Sequence, residues 1–176
     1  MQKGNLLFLS VCTLMLLVSA KPASDKVHVN WMNFTSVSAS LEKEKRPVLV
    51  DVYTDWCSWC KVMDNKTYSN KKVIDYLQNK FYPVKFNAET KEDVFWNGKI
   101  FHYNAGYKCN EFALYLTQGQ LAFPTTVVIP TDGSQPQAIA GYLPTKDFEM
   151  IAKYFGEGEF GKTPFDQYQK KFKTSW

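Results

Sequence analysis

Pro47-Val48-Leu49-Val50-Asp51-Val52-Tyr53-Thr54-Asp55-Trp56-Cys57-Ser58-Trp59-Cys60 is the stretch on which the rest of the chain is read. Pro47 to Thr54 is apolar on both faces apart from Asp51, as a central strand covered from two sides would be. A helix is expected from about Ser58, which puts Cys57 at its start and Cys60 one turn inside. Only the thiolate of cysteine is nucleophilic, and a free cysteine near pKa ~8.5 is mostly protonated at neutral pH. Unpaired N–H groups and partial positive charge at a helix N-terminus favour the thiolate there. The spacing therefore predicts a redox-active dithiol, able to close as a disulfide, with a buried carboxylate beneath it.

Other readings of these cysteines are weaker. A purely structural disulfide would close so small a loop that it restrains the unfolded chain little. Zinc needs four ligands, and His28, His102 and Cys109 are scattered singly. Haem attachment needs a histidine directly after the second cysteine, where Lys61 stands. Copper handling lacks a nearby His or Met ligand. No metal and no cofactor is expected.

Residues 1–20 read as an export signal. Lys3 supplies the positive start, Leu6 to Val18 the apolar stretch, and Val18-Ser19-Ala20 a small-residue cleavage site. A lipoprotein reading would use Cys12, which lies inside the apolar stretch after the bulky Val11. Residues 21–176 then form a single domain in a periplasmic or otherwise extracytoplasmic setting. The net charge of +4, falling to +3 without Lys3, is spread along the chain, and no basic block exceeds Lys170-Lys171. Nucleic acid and stable membrane insertion are not implied. Aromatics at 16% suit a packed globular domain.

Further elements follow from pattern. Val27 to Trp31 alternates as a short edge strand, and Ser36 or Ser38 caps a helix running through Leu41 to Lys45. Ser69 caps a second helical stretch with Val73, Ile74, Leu77 and Phe81 on its apolar face. Tyr82 to Asn87 is a strand in which Lys85 is the one charge. Val94 to Trp96, Asn97-Gly98 and Lys99 to Tyr103 form a hairpin, because Asn-Gly accepts the positive φ angles of a type I′ turn. A helix carries Cys109, Phe112 and Leu116 on one stripe, which makes Cys109 a buried, inert thiol. Thr125 to Ile129 and Gln137 to Tyr142 are strands joined by a turn at 131–134. Phe148, Ile151, Ala152 and Phe155 mark an amphipathic helix. After a glycine-rich joint, Thr163 caps and Pro164 opens a last helix, over about 163–173, burying Phe165, Tyr168 and Phe172.

The order of these elements resembles the thioredoxin fold, an α/β architecture with a central mixed sheet flanked by helices. Asp51 to Lys61 resembles that superfamily's strand and Trp-Cys-x-x-Cys-Lys motif, and Phe123-Pro124-Thr125-Thr126 its cis-proline loop. Asp55 to Asp64 followed by the Asn-Gly hairpin is most similar to exported bacterial thioredoxin-like proteins related to the C-terminal domain of DsbD. This chain departs in its Ser58-Trp59 dipeptide and in the hairpin insertion at about 88–106, which recognises partners or only covers the sheet.

Cys57 is read as the attacking thiolate, Cys60 as the resolving thiol and Asp51 as the acceptor of its proton. A carboxylate in that apolar run is expected to have a raised pKa. The resemblance implies that Lys85 pairs with Asp51; a plain buried ion pair is the competing view. It also implies a cis Pro124 that presents the Phe123 backbone to an extended client segment. Trp59 is expected to be exposed as part of a client platform, with Trp56 either beside it or packed in the core. The reaction expected is thiol–disulfide exchange with protein partners. It would be carried out by a monomer, in the reducing direction, with electrons from a membrane-embedded donor. A thioredoxin-fold binding module with an incidental dithiol is the alternative.

Overall fold

The protein is described by a computed structural model in which residues 28–176, together with Met1, are placed. The signal expected over 1–20, its cleavage site and Val27 lie outside the described residues. The chain runs α1 (Phe34–Leu41), β1 (Val48–Tyr53), α2 (Ser58–Lys66), α3 (Lys71–Lys80), β2 (Tyr82–Asn87), β3 (Val94–Trp96) and β4 (Lys99–Phe101). It continues through β5 (Tyr103–Asn104), β6 (Cys109–Asn110), α4 (Glu111–Thr117), β7 (Thr125–Ile129), β8 (Gln137–Ala140), α5 (Thr145–Gly156) and α6 (Phe165–Lys171).

The main sheet has the order β2-β1-β7-β8, with β2 parallel to β1 and β7 antiparallel to it. Alternation along β1 sends Val48, Val50 and Val52 to one face and Leu49 and Asp51 to the other. The valine face packs under α1, α4 and the β3–β4 hairpin, around a fully buried Phe112 whose ring lies 4.7–5.6 Å from Phe34, Phe86, Phe101 and Tyr115. Removing such a ring costs about 3–5 kcal/mol. The Leu49 face packs under α2, α3 and α5 through Met63, Ile74, Leu77, Phe148 and Ile151. Asp51 therefore sits in an apolar layer on the α2 side.

Asparagines replace the serines expected as caps. Asn33 Oδ1 accepts the Ser36 N–H at 2.8 Å and starts α1, while the Ser38 hydroxyl returns to the Phe34 carbonyl. Asn70 Oδ1 accepts from Lys72 and Val73, and the Ser69 hydroxyl is spent on the Asn65 carbonyl. α1 ends at Leu41, short of Lys45. The edge strand expected at Val27 to Trp31 is not formed in its described part. There the chain makes one parallel bridge, Met32 to Val84, with Met32 N–H on the Pro83 carbonyl at 2.8 Å.

The Asn97-Gly98 turn has both φ values positive, at 49° and 75°. Its second strand stops at Phe101, because Tyr103 and Asn104 turn to pair with Cys109 and Asn110. Cys109 thus lies in β6 and not in the helix; Asn110 Oδ1 takes the Phe112 N–H and α4 begins only at Glu111. Cys109 is buried, and burial pushes its thiol up. β8 ends at Ala140, before Gly141 at φ 98°. At the last helix Thr163 does not cap, since its hydroxyl donates to Glu159 at 2.6 Å. No residue of α6 is buried: Phe165 is exposed, and Phe165 and Tyr168 lean on Tyr154 at 5.1 Å each.

Candidate functional site

Cys57 is the N-cap of α2, and its Sγ accepts the Cys60 N–H at 3.0 Å. The two cysteines are joined as a disulfide, with Cα atoms 5.3 Å apart. Cys57 is as enclosed as Cys60, each 4% exposed. It is therefore no more open to solvent than its partner.

Those rings are exposed. Trp56 lies edge-to-face with Phe123 at 5.8 Å, and its Nε1–H donates to Glu89 at 3.0 Å. Trp59 stacks on Tyr142 at 5.6 Å. Both indoles are more than half exposed, Trp56 at 67% and Trp59 at 58%. The Phe123–Pro124 peptide bond is cis. Trp56, Trp59 and Phe123 thus gather around the dithiol, joined by Tyr142, which follows Gly141, and by Glu89, which carries no motif in the sequence.

Beneath them, strand register sets Asp51 directly between Lys85 on β2 and Thr126 on β7. Lys85 Nζ is 3.1 Å from Asp51 Oδ2 and is also in close contact with Asp64 Oδ1 on α2. Three aromatic faces surround the ammonium: Tyr53, Trp31 and Tyr68, with ring centroids at 5.1, 5.4 and 5.9 Å. Burial pushes the Asp51 carboxyl up and the Lys85 charge pulls it partly back, leaving it at about 6. Desolvation opposes the charge on Lys85, but Asp51 and Asp64 outweigh it and hold its pKa above the ordinary value. Asp51 therefore remains largely ionised at neutral pH yet gains a proton readily, as a group handling thiol protons must. Asp64, which closes the Asp55–Asp64 motif, was given no role by the sequence reading; its place two helical turns beyond Cys57 was the further signal.

Among the described residues, no group of three His, Cys, Asp or Glu side chains is arranged to hold a metal, and no helix is long and apolar enough to cross a membrane.

A disulfide one turn long at the start of a helix, on a mixed sheet beside a cis X-Pro loop, defines a thiol–disulfide oxidoreductase of the thioredoxin class. Residues 36–156 match the thioredoxin-like domain family, and the chain belongs to it. Over 75 residues it is 33% identical to the thiol:disulfide interchange protein DsbD of Pectobacterium atrosepticum; these make up 34% of this chain and 13% of that relative, a small part of its length. In fold it is similar to a thioredoxin from Thermus thermophilus, with a TM-score of 0.56 at 18% identity over 77% of this chain and 95% of that one. A thioredoxin-fold protein from Helicobacter pylori gives 0.54 at 19% identity, over 72% and 79%.

Proposed function

We propose that the protein reduces disulfides of protein clients outside the cytoplasm, with Cys57 as nucleophile and Cys60 as resolving thiol. The observation that carries this reading is the Cys57–Cys60 pair, capped onto α2 between two exposed indoles, with a carboxyl at about 6 in the layer below. The Cys57 thiolate attacks one sulfur of the client disulfide, forming a mixed disulfide and expelling the other sulfur as thiolate. Asp51 then takes the Cys60 proton. Cys60 attacks the Cys57 sulfur, closing the internal disulfide and releasing the second client thiolate. Two electrons pass from the dithiol to the client.

Lys85 holds the Asp51 carboxyl, and Asp64, paired with Lys85 and 40% exposed, connects the pair toward solvent. Trp56, Trp59, Phe123 and Pro124 form the surface on which an extended client segment lies, its backbone paired beside Phe123. The local charges support the reducing direction. Asp51 and Asp64 near the dithiol disfavour a thiolate, whereas a strong oxidant needs its reduced form stabilised by a very acidic one. Export rests on the leader at residues 1–20, and a membrane-embedded donor on the similarity to DsbD.

A trapping assay tests this. Cys60→Ser should accumulate client proteins in covalent complexes that dithiothreitol dissolves, and Cys57→Ser should accumulate none. Equal behaviour of the two variants, or clients retained without a covalent link, favours a binding module.

A further inference from the structure

Trp56 and Trp59 are large apolar rings left mostly in water, and each is met by one side chain from outside the dithiol motif and the proline loop. Exposed side chains flip between rotamers within nanoseconds unless something fixes them. For Trp56 that something is Glu89, whose carboxylate accepts the Nε1–H at 3.0 Å. Glu89 stands on a pinned backbone. The preceding Ala88 gives its N–H to the Tyr53 carbonyl on β1 at 2.8 Å and takes the Asn110 N–H on its own carbonyl at 2.7 Å. Asn110 is fully buried and also donates from Nδ2 to the Glu92 carbonyl at 2.9 Å. Next to Trp56, Asp55 accepts from the Asn87 side chain at 3.2 Å. The start of the insertion at residue 88 is thereby fastened to the loop that carries the indole.

Trp59 is held differently. Its ring stacks on Tyr142 at 5.6 Å with an interplanar angle of 27°. Tyr142 packs against the core on the Leu49 face of the sheet. It follows Gly141, whose N–H donates to the Pro124 carbonyl at 2.8 Å and whose φ of 98° turns the chain at the end of β8. Phe123, the edge-to-face neighbour of Trp56, packs against the core on the valine face. Each face of the sheet thus supplies one aromatic anchor to the site.

Neither contact is required to satisfy the rings, because an exposed N–H finds water as readily as a carboxylate. What a hydrogen bond and a stack add is an orientation fixed before a client arrives. A surface that is already ordered loses less entropy on binding. We propose that Glu89 and Tyr142 are positioning residues for client binding, presetting the Trp56 and Trp59 indoles in the orientation that an extended client segment meets. The inference rests on the exchange reading above and deepens it, giving the first residues of the insertion a part in client binding.

The test has two readouts. The indole N–H signals of the two rings, identified by their loss in Trp56→Phe and Trp59→Phe, report ring motion through nitrogen-15 relaxation. Glu89→Ala should loosen Trp56 alone, and Tyr142→Ala should loosen Trp59 alone. Glu89→Gln keeps an acceptor oxygen and Tyr142→Phe keeps the stacking face, so both should retain the wild-type order. In reduction of insulin, with dithiothreitol as electron donor, each alanine variant should raise KM about threefold at unchanged kcat. The two conservative variants should restore the wild-type KM. Indoles that stay as rigid in the alanine variants overturn the inference, as does a KM that does not move or a kcat that falls in its place. Conservative variants that behave like the alanine ones overturn it too. Wild-type protein that fails to reduce insulin removes the proposed function and this inference with it. Wild type that reduces insulin beside alanine variants that do so equally well removes this inference alone.

Discussion

Asp51 and Glu149 are both buried carboxyls, both paired with a lysine, and their surroundings drive them in opposite directions. Glu149, on α5, has each oxygen occupied. Lys153 Nζ donates at 2.8 Å, the hydroxyls of Thr174 and Ser175 at 2.6 Å each, and the backbone N–H groups of Ser175 and Trp176 at 2.9–3.1 Å. Burial pushes this carboxyl up, but Lys153, Ser175 and Thr174 together outweigh it and bring it down to about 2. Asp51 has Lys85 on one oxygen and no donor on the other, and stays at about 6. A saturated carboxylate is a fixed charge that clasps the chain end against α5. A half-satisfied one keeps room for a proton, and it lies under the dithiol. Similar burial thus leaves one carboxyl a fixed charge and the other open to a proton.

The largest expected effect breaks the clasp. Glu149→Ala strands Lys153 and the 174–176 segment, and should cost about 3–5 kcal/mol in denaturant unfolding. That corresponds to a melting temperature lower by roughly 10 °C. Exchange activity per folded molecule should not change. Asp51→Asn should do the reverse. Relief of a carboxylate held above its ordinary pKa should stabilise the protein at pH 7 by about 1–3 kcal/mol. Resolution of the mixed disulfide should slow by roughly 100-fold.

The pH dependence of the two variants sharpens the contrast. Asp51 has its folded pKa raised from 3.8 to about 6, so the native state binds more protons in that interval and its stability falls as pH rises through it. The advantage of Asp51→Asn should be full above pH 6 and vanish below about 4. Glu149 is depressed from 4.5 to about 2, so its contribution is full above 4.5 and is lost as pH falls toward 2. The deficit of Glu149→Gln should shrink over that interval, as paired unfolding curves would show. The smallest effect is expected at Asp64, whose side chain is 40% exposed. Asp64→Asn should change stability by less than ~1 kcal/mol. It should lower the Asp51 midpoint, because a repelling charge is lost and Lys85 is left to Asp51 alone.

What the sequence disclosed and what it hid differ in a physical way. β2 and β7 have the limits expected, and β1 falls within its expected span, because strands covered on both faces announce themselves as apolar runs. Against those runs Asp51 and Lys85 stood out as lone charges. Asp64 and Glu149 did not, since a single acid on an amphipathic helix is ordinary and each takes its meaning from a distant partner. Lys85 reaches Asp64 on α2 from strand β2, and Thr174, which covers Glu149, is 25 residues away. Thr126 passed as an ordinary strand residue, because only the β1–β7 register sets it beside Asp51. The aromatic spacing of α6 misled for a related reason: its rings lean on Tyr154 at the surface instead of entering the core.

The most direct measurement is the rate at which a purified Cys57–client mixed disulfide is resolved by Cys60, followed from pH 4 to 8 in the wild type and in Asp51→Asn. A wild-type rate that falls away below about pH 6, with no such acid limb in the variant, is the outcome expected of a carboxyl that accepts the Cys60 proton. Superimposable profiles at equal rates would contradict that role and leave Asp51 a buried ion-pair partner of Lys85.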